Sequence, residues 1–193
     1  MRETSVRFEI LLPAEAVAAR VDALAEQIAP ALAEDAVVIC LLTGGLWFAG
    51  DLTRALARLG RPVAFDALWL ASYGDATVSA GRCELRAGLQ RPIAGRQALI
   101  VDDVFDTGLS LAEAVRHVSA AGAAVVTTAV FARKPWPLPR TPAPDYVAWE
   151  APGRFLVGYG MDMGGAYRGL PYVAALIEDD SHGAAESRAS IAS

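Results

Sequence analysis

The sequence predicts an α/β fold in which a mostly parallel, twisted sheet is flanked by helices. Two observations carry this prediction: short aliphatic runs without polar alternation, and intervening stretches with apolar residues at helical spacing. An unbroken apolar run of strand length is typical of a parallel strand that is buried on both faces. Because such strands alternate with helices along the chain, we expect right-handed crossovers between them.

The first third of the chain predicts two helices and two strands. A helix is expected over residues 14–29 and a buried strand over residues 36–42, followed by a helix that ends at Gly60 and a strand at 63–70. The apolar stripe of the first helix consists of Val17, Val21, Leu24, Ala25 and Ile28. The stripe of the second helix consists of Phe48, Leu52, Leu56 and Leu59. Each helix therefore has one face to pack on the sheet.

Two more strands are predicted at residues 98–104 and 124–131, joined by a helix that ends near Gly122. Between the strands predicted at 63–70 and 98–104, residues 72–91 are too polar and too rich in glycine to belong to the core. A connection of about twenty residues is unusual in a compact domain. We therefore expect this segment to be a functional flap.

Beyond residue 131, short apolar runs at residues 146–149, 155–157 and 172–177 predict short strands. Together with the N-terminal helix, they are expected to form a small hood subdomain over the ligand-binding edge of the sheet. The expected organisation is one domain over residues 1–178, with its core at about 34–133, its hood from about 8–30 and 134–178, and a flexible tail at 179–193.

The composition indicates a globular chain, with 54% hydrophobic and 20% charged residues among 193. The net charge of −5 and the absence of a basic block argue against nucleic acid as a partner. Neither a signal-peptide block nor an apolar span of 18 residues occurs, so we expect no membrane association and a cytoplasmic location. Cys40 and Cys83 lie far apart, without the spacing of metal ligands.

Residues 98–110, ALIVDDVFDTGLS, are the most informative segment, because a buried strand runs directly into three carboxylates and a Thr-Gly-x-Ser turn. Ligands bind at this end of a strand in open α/β sheets. The N–H groups and hydroxyls of Thr107, Gly108 and Ser110 suit a phosphate at a helix N-terminus. Asp102 and Asp103 suit a sugar diol or the water molecules of Mg²⁺. A phosphorylated ribose, with or without a metal, satisfies both halves.

The alternative for this segment is an ordinary strand-to-helix turn, capped by Asp106 or Thr107. Three carboxylates within five residues repel one another, which makes a purely structural role costly. The ligand-binding interpretation is therefore favoured.

The segment resembles the phosphoribosyl-pyrophosphate motif of the type I phosphoribosyltransferases, in which an apolar strand leads to two acidic residues, two apolar residues and Asp-Thr-Gly-x-Ser/Thr. The resemblance implies the fold of that family and 5-phosphoribosyl 1-pyrophosphate as the donor substrate. The residues that it implies for the phosphoribosyl group are Asp102, Asp103, Asp106, Thr107, Gly108, Leu109 and Ser110. By itself the motif does not identify the acceptor.

Other segments are similar to the hypoxanthine-guanine phosphoribosyltransferases, in family order between about residues 9 and 177. They are LTGGLWFAGDL at residues 42–52, SYG at 72–74, PDYV at 144–147, PGRFLVGYGMD at 152–162 and YRGLPY at 167–172. The resemblance implies a purine-salvage enzyme that converts hypoxanthine, with guanine as a further candidate, to its nucleoside monophosphate (IMP or GMP) and pyrophosphate.

For pyrophosphate, the resemblance implies contacts from Thr43, Gly44, Gly45 and Arg168. The two glycines allow backbone N–H groups to approach a polyanion closely, although a plain tight turn has the same pattern. The family usually has Lys where this chain has Thr43, so a direct ammonium contact would be absent here. The flap residues Ser72 and Tyr73 are similar to the start of the family's mobile loop, which closes over the site.

For the purine, the resemblance implies Lys134, Phe155, Leu156 and Asp162. Phe155 would stack on the base, and Lys134 would point at O6, which selects 6-oxopurines over adenine. Arg133 is an alternative to Lys134, because this segment is one residue longer than in many relatives. Without the resemblance, Phe155 favours a core role, and a solvated surface position suits Lys134 equally well.

The resemblance also implies catalytic roles for the acidic residues. Asp162 would bind Mg²⁺, and Asp102 and Asp103 would hold the ribose hydroxyls and reach the ion through water. Asp106 resembles the general base that accepts the N7 proton of the purine.

Two alternative functions remain open on the same fold. One is a phosphoribosyltransferase that prefers xanthine or another base, and the other is a catalytically silent, nucleotide-sensing regulator. The intact set of Asp102, Asp103, Asp106 and Asp162 argues against the second. Relatives are commonly dimers or tetramers, so a homo-oligomer is expected.

Overall fold

The computed structural model describes residues 7–72 and 83–177. The strands are β1 (Phe8–Leu12), β2 (Val37–Leu42), β3 (Ala64–Ser72), β4 (Cys83–Ala87), β5 (Gln97–Phe105), β6 (Val125–Arg133), β7 (Tyr146–Glu150), β8 (Leu156–Val157) and β9 (Val173–Leu176). The α-helices are α1 (Ala14–Ile28), α2 (Leu46–Arg58) and α3 (Leu109–Ala120).

Six strands form the central sheet in the order β4-β3-β2-β5-β6-β7. The pairs β2–β3, β2–β5, β5–β6 and β6–β7 are parallel, and the β3–β4 pair is antiparallel. The predicted α/β class with a mostly parallel sheet is therefore confirmed.

The central strand β2 supplies core residues to both faces of the sheet. Val38 and Cys40 belong to the core formed with α1 and α2, whereas Val37, Ile39 and Leu41 belong to the core formed with α3. Successive side chains of a strand point to opposite faces. A strand covered by helices on both sides therefore needs an unbroken apolar run, as the sequence has here.

Both early helices bury the faces that their spacing predicts. In α1 the buried residues are the five of the predicted stripe. In α2 the prediction holds except at Leu59, which is 45% exposed. The helix ends at Arg58, and Gly60 adopts a φ of +76°, so the chain turns away from the core before Leu59 can pack.

Two strands differ from the prediction, β4 in its existence and β7 in the sheet that it joins. β4 lies within the segment expected to be a flap and pairs with β3 at the edge of the sheet. Its residues are mostly exposed, so it lacks the apolar signature of a buried strand. β7 was expected in the hood, but it pairs with β6 and extends the central sheet. Tyr73, the flap residue of the family resemblance, lies outside the described residues, as does the expected tail at 179–193.

A second, three-stranded antiparallel sheet has the order β1-β9-β8. It joins β1 to β8 and β9, and all three strands lie in segments that the sequence assigned to the hood. The N-terminal helix that the sequence assigned to that hood, α1, contacts α2 and β7, and its buried residues share one core with residues of β8 and β9. The boundaries between core and hood stay a prediction. Within residues 7–72 and 83–177, no helix is long and apolar enough to cross a membrane.

The strand order reverses at the centre of the sheet. From β2 the chain passes through α2 to β3 on one side, and from β5 it passes through α3 to β6 on the other. β2 and β5 are neighbours, so the loops that follow them diverge and leave a crevice at their carboxyl ends. Ligands of open α/β sheets bind at such a switch point.

Candidate active site

A pocket of about 340 Å³ lies at the carboxyl ends of β2 and β5. The loop after β5 forms one wall, and residues from the loops after β2 and β8 complete it. Its polar and glycine lining consists of Gly44, Asp102, Asp103, Asp106, Thr107, Gly108, Ser110, Asp162 and Arg168. The switch point of the sheet therefore brings residues 102–110, here called the acidic turn, together with residues that are distant in sequence.

A smaller pocket of about 170 Å³ adjoins the first one. Lys134, Phe155, Leu156 and Met161 line it, and it shares Asp103, Val104 and Asp162 with the larger pocket. Phe155 is 48% exposed and lines this space, so its ring is available for contact with a ligand. One compartment is thus acidic and polar, and the other is more apolar with one lysine.

Gly44 fits between Asp103 at the end of β5 and the turn after β8 that contains Gly160. A Cβ built on Gly44 would overlap the carboxylate of Asp103, lying 2.5 Å from its Cγ. A Cβ on Gly160, which has a φ of +101°, would overlap the carbonyl oxygen of Gly44. Three backbone segments therefore meet here at distances that leave no space for a side chain.

Asp102 and Asp103 form a buried, interacting carboxyl pair. Burial, followed by the charge of Asp103, raises the pKa of Asp102 well above its usual range. Burial also raises the pKa of Asp103, while hydrogen bonds from the Asp102 carboxyl and the Val104 N–H (2.9 Å) and the charge of Arg168 oppose the rise. Removal of both carboxyl groups from water therefore makes each of them harder to ionise than an exposed aspartate.

This raised pKa has a stability consequence that Asp102→Asn should reveal. A group whose pKa is raised by folding stabilises the protein most below its unfolded pKa, and it loses that contribution as pH rises through the folded value. Asn never ionises, so the variant should melt higher than wild type at pH 8, by roughly 2–4 °C for each kcal/mol. Melting temperatures between pH 4 and pH 8 measure the effect, and the two proteins should converge near pH 4.

Asp22→Asn is the matched control, because Asp22 is exposed and pairs with Arg58 on the surface. It should not show a gain that grows with pH. An Asp102→Asn protein that melts at the wild-type temperature at pH 8 would contradict the inferred cost of the buried charge.

The acidic turn leads directly into the N-terminus of α3. Gly108, the residue before the helix, adopts a φ of +84°, which favours glycine. The hydroxyl of Thr107 accepts a long hydrogen bond of 3.4 Å from the N–H of Leu109. This weak contact leaves the first-turn N–H groups and the positive end of the helix dipole suited to an anion.

Lys134 and Asp106 form an ion pair between the two compartments, with 3.1 Å between Nζ and Oδ2. The carboxylate of Asp106 therefore does not cap α3, contrary to one alternative for this turn. Arg133, the alternative to Lys134, points elsewhere and forms an ion pair with Glu150 at the neighbouring strand end. Of these two cations, Lys134 is the one that lines the smaller pocket.

Arg168 is held in place by two contacts. Its Nη2 lies 2.6 Å from Oδ1 of Asp162, and its Nη1 donates to the carbonyl oxygen of Gly160 at 2.6 Å. The second carboxylate oxygen of Asp162 accepts from the Gly165 N–H, also at 2.6 Å. The guanidinium is therefore oriented at the pocket wall before any anion arrives.

The donor chemistry of the pocket suits a divalent cation that arrives with a phosphorylated ligand. Within the described part of the chain, no group of three or more His, Cys, Asp or Glu side chains is assembled to hold a metal by itself. Mg²⁺ is commonly held by one or two carboxylates together with substrate phosphates and water. Asp102, Asp103 and Asp162 line one pocket and supply such oxygens.

Most of the predicted site residues meet in these two pockets, but some do not line them. Leu109 is exposed at the start of α3, and Thr43 and Gly45 follow the strand end without lining either pocket. Gly45 instead approaches the carbonyl oxygens of Leu41 and Val101 closely, and the Leu42–Thr43 peptide is cis. Ser72 ends β3. The roles of the individual residues stay predictions.

Two residues near the site were not predicted from the sequence. Gly160 lies in the PGRFLVGYGMD segment, and the repeated glycines of Gly-Tyr-Gly were the signal that another backbone segment passes close by. Arg140 lies in a proline-rich connection without a distinguishing pattern, yet its guanidinium bonds three backbone carbonyls at the pocket edge. No local signal marked it.

Comparison with known proteins agrees with this geometry. The sequence-family model of the phosphoribosyl transferase domain matches residues 8–162 of this chain. The chain is 34% identical over 174 residues to the hypoxanthine-guanine phosphoribosyltransferase of Mycobacterium tuberculosis, covering 86% of this chain and 85% of that protein. It is 35% identical over 175 residues to the enzyme of the same name from Aquifex aeolicus, covering 90% and 96%.

A solved structure is similar over almost the same extent. The hypoxanthine phosphoribosyl transferase of Trypanosoma cruzi superposes with a TM-score of 0.82 at 29% identity, covering 92% of this chain and 95% of that one. Sequence family, identity and fold agree. The chain therefore belongs to the phosphoribosyltransferase family, in the group of the hypoxanthine-guanine phosphoribosyltransferases.

Proposed function

We propose that this protein transfers the phosphoribosyl group of 5-phosphoribosyl 1-pyrophosphate to hypoxanthine, and also to guanine, forming the nucleoside monophosphate and pyrophosphate. The observation that carries the proposal is the pair of adjoining pockets that share Asp103, Val104 and Asp162. A transferase of this kind must hold a polyanionic sugar and a flat base against each other. The two compartments differ in polarity in the way these two substrates require.

The larger pocket suits the donor. The N-terminus of α3 and the hydroxyls of Thr107 and Ser110 would bind the 5′-phosphate, and Asp102 and Asp103 would accept hydrogen bonds from the ribose hydroxyls. Arg168 would bind the leaving pyrophosphate, whose charge grows as the bond at the anomeric carbon breaks. Mg²⁺, held by Asp162 with Asp102 and Asp103 nearby, would supply further charge neutralisation when bound.

The smaller pocket suits the base. Phe155 would stack on the purine, and the ammonium of Lys134 would donate to O6, the position at which 6-oxopurines differ from adenine. Asp106, at the boundary of the two compartments, would accept the N7 proton as the new glycosidic bond forms. The ion pair between Asp106 and Lys134, which lines the smaller pocket, supports this role.

A turnover assay with the donor, Mg²⁺ and each of hypoxanthine, guanine, xanthine and adenine tests the proposal. We expect turnover of hypoxanthine and guanine, and adenine as the poorest substrate. Xanthine as the best substrate would favour the first alternative function. Binding of nucleotide without turnover of any base would favour the regulator and contradict the proposal.

Lys134→Met should lower kcat/KM for hypoxanthine about 10- to 150-fold, since a hydrogen bond from a charged donor contributes roughly 1.5–3 kcal/mol. Turnover of adenine should change far less, so the preference for 6-oxopurines should shrink. Kinetics with both bases measure the effect.

Arg133→Met separates the two candidate cations, because Arg133 pairs with Glu150 outside the pocket. It should leave the base preference unchanged. A loss of preference in Arg133→Met, with none in Lys134→Met, would assign the O6 contact to Arg133. A homo-oligomeric state and a cytoplasmic location stay predictions.

A further inference from the structure

We propose that Arg140 is a positioning residue that holds Asp106 and Lys134 in register at the boundary of the two pockets. The inference rests on the proposed function for its catalytic meaning, although its structural part can be tested separately. Arg140 does not line either pocket and so does not touch the expected substrates.

The guanidinium of Arg140 bonds three backbone carbonyls. Nη1 donates to the carbonyl oxygen of Phe105 at 3.2 Å and to that of Asp106, and Nη2 donates to the carbonyl oxygen of Lys134 at 2.8 Å. The same guanidinium lies 4.3 Å from the centre of the Phe105 ring, a cation–π contact. Two of the three carbonyls belong to the residues whose side chains form the ion pair between the pockets.

These carbonyls lie at the point where the pairing of β5 with β6 ends. The β5–β6 register ends with Phe105 opposite Arg133, and beyond it one backbone hydrogen bond remains, from the Lys134 N–H to the Phe105 carbonyl oxygen at 3.1 Å. Asp106 and Lys134 are thus the first residues past the strand ends. Arg140 links the two segments for one more residue, because it bonds the carbonyl oxygens of both Asp106 and Lys134.

Arginine suits this task because its planar guanidinium presents five N–H donors in a fixed geometry. A lysine ammonium is a compact charge on a flexible stem, and it cannot reproduce the forked contact and the stacking on Phe105 together. The connection that carries Arg140 contains Pro135, Pro137 and Pro139, whose fixed φ angles limit the freedom of the returning chain. The loop is therefore suited to hold the guanidinium of Arg140 at these three carbonyl oxygens.

Arg140→Lys is the main test, because it keeps the charge and much of the bulk. We expect kcat/KM for hypoxanthine to fall about 10- to 100-fold, since a misplacement of about 1 Å at reacting groups can cost 10²-fold in rate. The Kd of the donor, measured by calorimetry, should change less than about threefold, because Arg140 does not line the larger pocket and its contacts stop at the Asp106 carbonyl, before the first-turn N–H groups of α3. A parallel loss of donor affinity would overturn the proposal.

A double-mutant cycle separates positioning from general destabilisation. If Arg140 acts by holding the Lys134–Asp106 ion pair, Arg140→Lys should cost much less in a Lys134→Met background, where that pair is already broken, than in the wild-type protein. Independent, multiplicative losses would show that Arg140 acts in some other way and would overturn the proposal. Arg58→Lys, at a surface pair with Asp22, is the matched control and should keep wild-type kinetics.

A crystal structure of Arg140→Lys tests the structural part without any assay. We expect the Lys134 Nζ to Asp106 Oδ2 distance, now 3.1 Å, to exceed the 4 Å of an ion pair. An unchanged pair would contradict the proposal even if activity fell. If the wild-type protein turned over no base, the proposed function would fail, and this structure would still decide whether Arg140 positions the pair.

Discussion

Asp106→Asn should lower kcat with hypoxanthine at least tenfold, and by up to 10⁴-fold if proton transfer limits the reaction. The amide keeps the shape of the side chain and an oxygen that can still accept from Lys134, now at 3.1 Å. It loses the basicity needed to take the N7 proton. The defect should therefore appear in kcat, while the Kd of the donor changes little.

Steady-state kinetics and calorimetric titration of the donor provide the two measurements. Asp22→Asn is a suitable control, since it makes the same chemical change at an exposed pair with Arg58. An unchanged kcat in Asp106→Asn would remove Asp106 from the role of general base. A loss of donor affinity of the same size as the loss in kcat would place Asp106 in the donor site instead.

Gly44→Ala should damage both stability and donor use. The new methyl group would overlap the Asp103 carboxylate, which is only 8% exposed and is held by the Val104 N–H. The Gly44 backbone cannot retreat, because its carbonyl oxygen already lies against Gly160. Overpacking of this kind costs about 1–3 kcal/mol, or roughly 2–12 °C in Tm for a chain of this size.

The same substitution should reduce kcat/KM for the donor about 100-fold, because Asp103 and the loop after β2 must shift relative to each other. Thermal melting and donor kinetics measure the two effects. Gly50→Ala is a sharp control: Gly50 lies within α2, and its added methyl group would meet nothing closer than Arg54 Nη1 at 3.9 Å. It should raise stability by roughly 0.5–1 kcal/mol. A Gly44→Ala protein with wild-type melting and kinetics would contradict the close fit.

The site contains two buried carboxyl groups that destabilise the fold and an arginine whose orientation is fixed by its neighbours. The buried carboxyl pair of Asp102 and Asp103 carries a desolvation cost, which the raised pKa values of both groups express. Arg168, in contrast, is fixed by Asp162 and Gly160 before a ligand is present. Oriented charges of this kind stabilise a developing negative charge without having to reorganise. The stability gained by Asp102→Asn should therefore come with a loss of activity.

The sequence determined the elements whose signal is local. The unbroken run of β2, the stripe of α1 and the acidic turn after β5 could all be predicted, because burial on one or two faces and turn chemistry leave their pattern in neighbouring residues. The family resemblance rested on the same kind of local motif. It also named many of the residues that line the two pockets, together with Thr43, Gly45 and Leu109, which do not line them, and it could not place these residues against each other.

Only the tertiary structure decided which segments meet. Whether β7 joins the central sheet, and which of Arg133 and Lys134 faces the pocket, depends on pairing with distant strands. The contact of Gly44 with Gly160 and the bonds of Arg140 also join segments far apart in the chain. Such contacts arise from packing and strand register, and no short stretch of sequence contains both partners. The acidic turn could therefore be predicted from the sequence, whereas the close packing of Gly44 and Gly160 against it could not.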